Sequence, residues 1–304
     1  MPNTRVRTER LSLNKQLRRQ STLARSCEVA GFGYWSGQDV SVEFRPAEEN
    51  TGIVFFRSDL PAPNNVAAEV RNRVEVPRRT TLVAGNVRVE MVEHVLAALA
   101  GLQIDNCEVH INGVEVPGCD GSSQPFVEAL LAAGRTPQES RRPRIIVTDV
   151  TRIGDDESWV EIRPVKGNRL AVQYKLDYGP NNPIGKQVYR LDVTPDTFCK
   201  ELASARTFLL QEEAEWLQQR GLGTRVTPKD ILVFGPDGPI DNTLRFEDEC
   251  VRHKTLDLVG DLALAGCDIV GQVLAYRSGH RLNAELVKQI LSEGRREGFL
   301  RLTG

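Results

Sequence analysis

The chain has 304 residues, of which 40% are hydrophobic and 26% are charged, and its formal net charge is -2. This composition is typical of globular proteins, and the length predicts about two domains. The charge excludes the strong basic field of a nucleic-acid-binding protein, and no apolar run approaches the roughly 20 residues that span a bilayer. We therefore expect a soluble protein with no nucleic-acid partner and no stable membrane insertion.

The N-terminal region is basic, because residues 1–25 carry seven Lys or Arg side chains against one acid, Glu9. No apolar segment follows, so the region is not a secretory signal. We interpret residues 1–18 as a frayed, solvated extension, with an organelle transit peptide as the alternative. The six cysteines are scattered without a C-x-x-C pair, which favours a reducing cytoplasm over a disulfide framework or a thiolate zinc site.

Residues 19–137 predict a first α+β domain. Alternating apolar residues predict strands at 40–44, 52–56 and 107–111. Val92, Val95, Leu96 and Leu99 have helical spacing, and Gly101 ends this helix. A second helix at 126–133 follows a segment with capping residues and an early proline. The polar stretch 134–143, which contains Pro137, is interpreted as a linker.

Residues 143–304 predict a second domain of the same class. A long helix follows the acidic residues at 246–249 and continues to Gly266, and a shorter helix covers 284–291. Apolar runs predict the strands of this domain at 144–147, 159–162, 170–174, 187–193 and 269–276. Strands and helices do not alternate strictly, so the fold class predicted for both halves is α+β.

One histidine of the four in the chain has distinctive neighbours. Asp257 and Asp261 follow His253 at intervals of four residues, which places all three on one face of the long helix. A histidine and a carboxylate at this spacing can bind one metal ion. The spacing alone nevertheless favours a polar, solvated stripe.

A second histidine, His94, follows Glu93 on an otherwise apolar helix. The pair is either two exposed charges or a metal ligand beside a general base. A hydrolytic zinc site needs about three protein ligands, a water and a carboxylate to accept its proton, and His94, His253, Asp257 and Glu93 would supply them. His110 alternates with apolar strand residues, and we predict a structural role for it.

Several longer blocks resemble one enzyme family, the UDP-3-O-acyl-N-acetylglucosamine deacetylases (LpxC) of lipid A biosynthesis. The similarity covers the chain from about residue 19 to the C-terminus, with the blocks in the order of the family. The blocks are Val92–Asn106, Asp120–Ser122, Ser204–Phe208, Arg245–Leu262 and Ser278–His280.

The resemblance implies both a fold and an activity. The family fold has two α+β domains, each a sheet with helices on one face, and the helices lie between the two sheets. An insert in the second domain, about residues 209–236 here, forms a hydrophobic passage for an acyl chain. The activity is zinc-dependent hydrolysis of the N-acetyl group of a small molecule, an acylated UDP-amino sugar used for lipopolysaccharide. We expect a cytoplasmic monomer.

The resemblance also implies the metal site. His94, His253 and Asp257 match the Zn²⁺ ligands of the family, and Glu93 matches the general base that activates the attacking water.

The other roles implied by the resemblance concern the leaving group, the oxyanion and the acyl chain. His280 would be an acid for the leaving amine or an electrostatic stabiliser, and Asp261 would orient it. Lys254 and Thr207 would face the oxyanion, and Lys254 would also contact the substrate. Phe208 and Leu209 would contact the acyl chain.

Some positions depart from the family pattern. Tyr34 and Trp35 stand in a stretch where the family has G-x-G-L-H-S/T-G, so a histidine is missing. Glu90 and Met91 replace small hydroxyl residues, and Leu209 replaces a common Gly or Ala. Residues 224–226 lack a frequent Gly-Gly pair. We expect these departures to affect the sugar and acyl chain rather than catalysis, and we hypothesise that Leu209 narrows the acyl passage.

Two other functions remain open from the sequence. A related zinc amidohydrolase acting on a different N-acetylated sugar nucleotide would have the same fold. A catalytically silent relative that binds lipid precursors or a partner protein would not need Glu93, Lys254, Asp261 and His280 together.

Overall fold

The computed structural model describes residues 17–299. The first half of the chain contains the following elements: β1 (Arg19–Leu23), β2 (Cys27–Phe32), β3 (Asp39–Pro46), β4 (Ile53–Arg57), β5 (Asn65–Ala67), β6 (Arg73–Val74), β7 (Thr81–Ala84), β8 (Val87–Glu90), α1 (Glu93–Gly101), β9 (Cys107–Ile111), α2 (Gln124–Ala133) and β10 (Arg135–Arg141).

The second half continues with β11 (Arg144–Ile146), β12 (Thr151–Gly154), β13 (Trp159–Arg163), β14 (Leu170–Asp177), β15 (Lys186–Asp192), α3 (Pro195–Thr197), β16 (Phe208–Leu210), α4 (Gln211–Gln218), β17 (Leu232–Gly235), β18 (Gly238–Pro239), α5 (Glu249–Leu262), β19 (Asp268–Tyr276), α6 (His280–Glu293) and β20 (Arg295–Glu297).

The main sheet of the first half has the strand order β2-β3-β9-β4-β5. In β3, Val40, Val42 and Phe44 are buried and alternate with more exposed residues, as expected of a strand with one face on the core. A separate three-stranded sheet, β6-β7-β8, leads directly into α1. We call this small sheet the first insert.

The main sheet of the second half is organised around β19. This strand pairs with β13, β14 and β11, and the order along the sheet is β12-β13-β19-β11-β20 with β14 and β15 attached. A small sheet, β16-β17-β18, packs with α4, and we call this unit the second insert. The mixture of sheets and helices confirms the predicted α+β class.

Helices of the two halves pack directly against each other. At Gly260 of α5, a Cβ atom would lie 2.2 Å from the backbone carbonyl oxygen of Glu93 in α1. This contact requires glycine, because any larger residue would push the two helices apart. The close approach brings the functional side chains of α1 and α5 together.

The stretch that we interpreted as a linker is instead strand β10, which pairs antiparallel with β1. Its side chains are mostly exposed or half-buried, so the sequence lacks the apolar alternation that usually indicates a strand. Pro137 is accommodated in this two-stranded ribbon opposite Ser21. The segment is therefore a paired strand of the folded protein, and it connects the two halves of the chain.

Arg18, which we assigned to a solvated extension, is also part of the fold. Its guanidinium lies 2.7 Å from Asp105 Oδ2 in the first half and 2.6 Å from Asp268 Oδ1 in the second. Residues 1–16 of the basic N-terminal segment lie outside the described residues. Within residues 17–299, none of the helices has both the length and the apolar character needed to cross a bilayer.

Candidate metal centre and active site

Three potential metal ligands meet where α1 and α5 pack. His94 Nε2 lies 3.5 Å from Asp257 Oδ1, and His253 Nε2 lies 3.4 Å from the same oxygen. One donor atom from each residue lies within 4.8 Å of the others, and all three side chains are buried. The interpretation of His253, Asp257 and Asp261 as a solvated stripe is therefore wrong, because α1 and β14 cover this face of α5.

His253 is oriented as a neutral ligand. Its Nδ1 donates a hydrogen bond to the carbonyl oxygen of Ala205 at 3.1 Å, which leaves the lone pair of Nε2 directed at the cluster. Burial lowers the pKa of His253 to about 4, despite the opposing charge of Asp257. A fixed tautomer and an unprotonated ring are what a metal-binding histidine requires.

Asp257 is the anionic member of the cluster. Burial raises its pKa, but the interactions with His253 and with the positively charged Lys254 outweigh burial and hold the pKa well below its usual range. Lys254 Nζ donates to Asp257 Oδ2 at 2.6 Å. Burial lowers the pKa of Lys254, but the charge of Asp257 outweighs this effect, so the pKa is raised and the side chain stays an ammonium.

Glu93 lies beside the cluster without belonging to it. The backbone N–H of Thr80 donates to Glu93 Oε2 at 2.9 Å, and Glu93 Oε1 lies 4.0 Å from His280 Nε2. Burial raises the pKa of this carboxyl, while His280 and His94 partly offset the shift. A carboxylate with a raised pKa is a better proton acceptor, so Glu93 has the properties of a general base.

His280 is the first residue of α6, and a buried carboxylate holds its ring. Its Nδ1 lies 2.8 Å from Asp261 Oδ2. Thr80 Oγ1 donates to Asp261 Oδ1 at 2.6 Å, and Asn283 Nδ2 donates to Asp261 Oδ2 at 2.8 Å. Burial lowers the pKa of His280, but the charge and hydrogen bond of Asp261 outweigh it and raise the pKa to about 9. His280 can therefore hold a proton at neutral pH.

The Ser-Ala-Arg-Thr-Phe block ends in β16 and is anchored by a buried ion pair. Arg206 Nε donates to Glu249 Oε1 at 2.8 Å at the start of α5. This anchor fixes the following residues, so Thr207 lines the cavity and the Phe208 ring lies 6.3 Å from the His253 ring. The block thus positions a hydroxyl and an apolar ring beside the metal ligands.

The cluster opens into a cavity of about 1180 Å³ that extends between the two inserts. One end contains the polar groups described above. The other end is lined by the apolar residues Leu209, Leu210, Leu217, Val226, Ile231 and Val233 of the second insert. A polar reaction site therefore continues into an apolar passage.

All the site residues predicted from the sequence line this cavity except Asp261, which lies behind His280. Three supporting residues were not predicted: Thr80, Asn283 and Tyr174, whose hydroxyl donates to the carbonyl of Ser278. The three-residue spacing of His280 and Asn283 on a helix was the available signal for Asn283. Thr80 and Tyr174 reach the site only through the tertiary fold. His110 is outside the cavity lining and stacks on Phe56 with ring centroids 4.7 Å apart.

Comparisons with known proteins agree with this geometry. The family profile described as LpxC, UDP-3-O-acyl N-acetylglycosamine deacetylase, matches residues 20–292. Proteins of Brucella ovis, Brucella canis and Brucella suis named UDP-3-O-acyl-N-acetylglucosamine deacetylase are 41% identical over 276 residues, which cover 90% of this chain and 96% of each relative. The chain therefore belongs to the UDP-3-O-acyl N-acetylglycosamine deacetylase (LpxC) family of enzymes.

Proposed function

We propose that the protein hydrolyses the acetamide of UDP-3-O-acyl-N-acetylglucosamine with the help of Zn²⁺, releasing acetate and a free amine for lipid A biosynthesis. The observation that carries the proposal is one cavity in which a His-His-Asp cluster, the Glu93 carboxylate and the His280 imidazole adjoin an apolar passage. The polar end suits an amide, and the passage suits an acyl chain.

The donor set fits a zinc ion. Two imidazole nitrogens and one carboxylate oxygen are the three protein ligands of many hydrolytic zinc sites, with a further position open to substrate or water. His94, His253 and Asp257 would hold the ion. Bound zinc supplies a Lewis acid for the carbonyl and lowers the pKa of water to about 7. Iron could use the same donors.

The side chains of the protein provide the remaining chemistry. Glu93 accepts the proton of the attacking water, whose oxygen bonds to the acetamide carbon. The Lys254 ammonium and the Thr207 hydroxyl stabilise the oxyanion that forms. His280, which Asp261 orients, donates its proton to the nitrogen as the C–N bond breaks. The products are acetate and the amine.

The ends of the substrate match two further regions of the cavity. The acyl chain would lie beside Phe208 and along the passage past Leu209. Arg277 and Arg281 line the cavity on either side of His280, and guanidinium groups suit a diphosphate. We expect the enzyme to act in the cytoplasm as a monomer.

Acetate release from UDP-3-O-acyl-N-acetylglucosamine tests the proposal. Zinc-loaded wild type should release acetate, and Glu93→Ala should lose about 10²- to 10⁴-fold in kcat while it retains stoichiometric zinc. Glu93→Gln, which keeps the shape of the side chain, is the matched control and should lose activity as well. Equal rates in wild type and both variants would exclude Glu93 as the base.

Non-acylated UDP-N-acetylglucosamine separates the remaining alternatives. A preference for this compound would indicate an amidohydrolase with a different substrate. A folded protein with stoichiometric zinc that releases acetate from neither compound would instead be a silent relative.

A further inference from the structure

Thr80, in the segment that joins β6 to β7, contacts two functional groups of the site. Its backbone N–H donates to Glu93 Oε2 at 2.9 Å. Its hydroxyl donates to Asp261 Oδ1 at 2.6 Å, and the same oxygen lies 3.2 Å from His280 Nδ1. Glu93 belongs to α1 and His280 to α6. A single residue from a third segment therefore contacts both the proposed base and the proposed acid.

The backbone of Thr80 is itself held on both sides. Its carbonyl oxygen accepts a hydrogen bond from the N–H of Val92, the residue before Glu93, at 3.3 Å. The next residue, Thr81, begins β7, which pairs with both β6 and β8. Thr80 is fully buried and lies outside the cavity lining. Any effect of Thr80 on the reaction must therefore pass through the residues that it bonds.

The bonds of Thr80 determine which atoms of the reacting side chains face each other. Because Glu93 Oε2 accepts from Thr80, the other oxygen, Oε1, is directed at His280 and lies 4.0 Å from Nε2. On the second carboxylate, the Thr80 hydroxyl takes Asp261 Oδ1, and Oδ2 lies 2.8 Å from His280 Nδ1. The imidazole held in this way presents Nε2 towards Glu93 Oε1.

Burial alone does not explain the bonds of the Thr80 hydroxyl. The neighbouring Thr81 is just as buried, and its hydroxyl has no hydrogen-bond partner within residues 17–299. Two adjacent threonines thus differ in one respect, which is that the Thr80 hydroxyl is bonded to the site. A buried threonine in this part of the fold does not require such a bond, so the contact with Asp261 points to a role in the site.

Resting on the proposed function, we propose that Thr80 is a positioning residue that aligns Glu93 Oε1 and His280 Nε2 on one reacting amide. Glu93 accepts a proton from the attacking water and His280 donates one to the leaving nitrogen, so both atoms must reach the same tetrahedral centre. Without the hydroxyl, Asp261 loses one of the three side-chain hydrogen bonds that orient it. A displacement of about 1 Å at a catalytic group can lower a rate by about 10²-fold.

The test measures acetate release from UDP-3-O-acyl-N-acetylglucosamine by the zinc-loaded wild type, Thr80→Val and Thr80→Ser. Thr80→Val keeps the backbone N–H and the branched shape but removes a hydrogen bond to a charged group, so kcat should fall at least about tenfold. KM should stay within about threefold of wild type, because the substrate does not touch Thr80. Thr80→Ser restores the hydroxyl and should return kcat to within about threefold of wild type.

Thr81→Val is the matched control. It makes the same substitution at the neighbouring position, where the hydroxyl has no partner within the described residues. This variant should keep the wild-type kcat and KM. A loss that follows from packing in β7, rather than from the bond to Asp261, would appear in both valine variants.

Three results would overturn the inference while leaving the proposed function intact: a wild-type kcat in Thr80→Val, an equal loss of kcat in Thr80→Ser and Thr80→Val, or an equal loss in Thr81→Val. If Thr80→Val does not fold with stoichiometric zinc, Thr80→Ala, which also lacks the hydroxyl, takes its place in each comparison. No acetate release by folded, zinc-loaded wild type would contradict the proposed function and the inference together.

Discussion

Two regions of the cavity differ in how they are built. We call Glu93, His94, His253, Asp257 and His280 the catalytic floor. These side chains belong to α1, α5 and α6, and the two central helices meet backbone to backbone at Gly260. The wall consists of four other residues that line the cavity: Trp35 and Arg78 lie on turns, Met91 follows the end of β8, and Leu209 lies within the short strand β16.

We expect this difference to separate the reaction from the selection of the substrate. Floor residues are held by buried hydrogen bonds, such as those that three neighbours make with Asp261. Wall residues are held by cation–π, sulfur and exposed ion-pair contacts, which can be rearranged one at a time. Functional variation commonly resides in loops on a rigid scaffold. Changes in the floor should therefore affect all substrates equally, whereas changes in the wall should alter the ratio between substrates.

Asp261→Asn is expected to affect the floor strongly, through His280. The carboxylate raises the pKa of His280, so its loss lowers that pKa and deprotonates His280 at a lower pH. The alkaline limb of kcat should move down by about 1–3 pH units, and kcat above the new pKa should fall by about 10²-fold. A pH–rate profile for two acyl lengths measures both effects. Thr80→Val keeps the Asp261 carboxylate and its charge, so it should shift the alkaline limb less. An alkaline limb that does not move in Asp261→Asn would contradict the role of Asp261 in raising the pKa of His280.

Gly260→Ala tests the helix contact itself. The added methyl group overlaps the carbonyl of Glu93 at 2.2 Å, so α1 and α5 must separate. We expect a loss of about 1–3 kcal/mol in the free energy of unfolding, weaker zinc binding and slower acetate release from every acyl length. Urea unfolding and zinc titration measure this. An unchanged zinc affinity in Gly260→Ala would show that the catalytic floor tolerates the separation of α1 and α5.

Leu209→Gly changes the wall at the passage. Leu209 is half-buried and lines the cavity where β16 pairs with β17. Removal of the side chain should raise the long-chain to short-chain ratio of kcat/KM by about three- to tenfold, without altering the pH profile. Equal rates of acetate release from short-chain and long-chain substrates, in both wild type and Leu209→Gly, would rule out a narrowing of the acyl passage by Leu209.

The smallest effect is expected for Arg78→Ala. Arg78 Nη2 lies 2.8 Å from Glu213 Oε1, with 40% and 33% of the side chains exposed, and the pair joins the two inserts beside the cavity. Exposed pairs contribute about 0–1 kcal/mol, and salt screens them. We expect KM to change less than about threefold at low salt and not at all at high salt. A larger increase in KM that does not depend on the salt concentration would assign Arg78 to substrate binding.

The sequence predicted most helices and core strands because their apolar periodicity is strong. It did not predict strand β10 from its polar side chains, or strand β1 in the basic region next to it. The strands of the first insert were not predicted either, since β6 has two residues and β7 and β8 have four each. Segments this short carry too little periodicity to identify a strand.

The family and the identity of the candidate ligands were determined by the sequence, since long blocks with fixed spacing retain the residues that the chemistry needs. Whether Glu93, His94 and the His253 face were exposed or buried was decided only by the tertiary structure, because helical spacing is the same for a solvated stripe and a buried site. The packing of α1 on α5 excludes water from both faces. Only this packing joins donors that are 159 residues apart in the chain, from His94 to His253, within 4.8 Å.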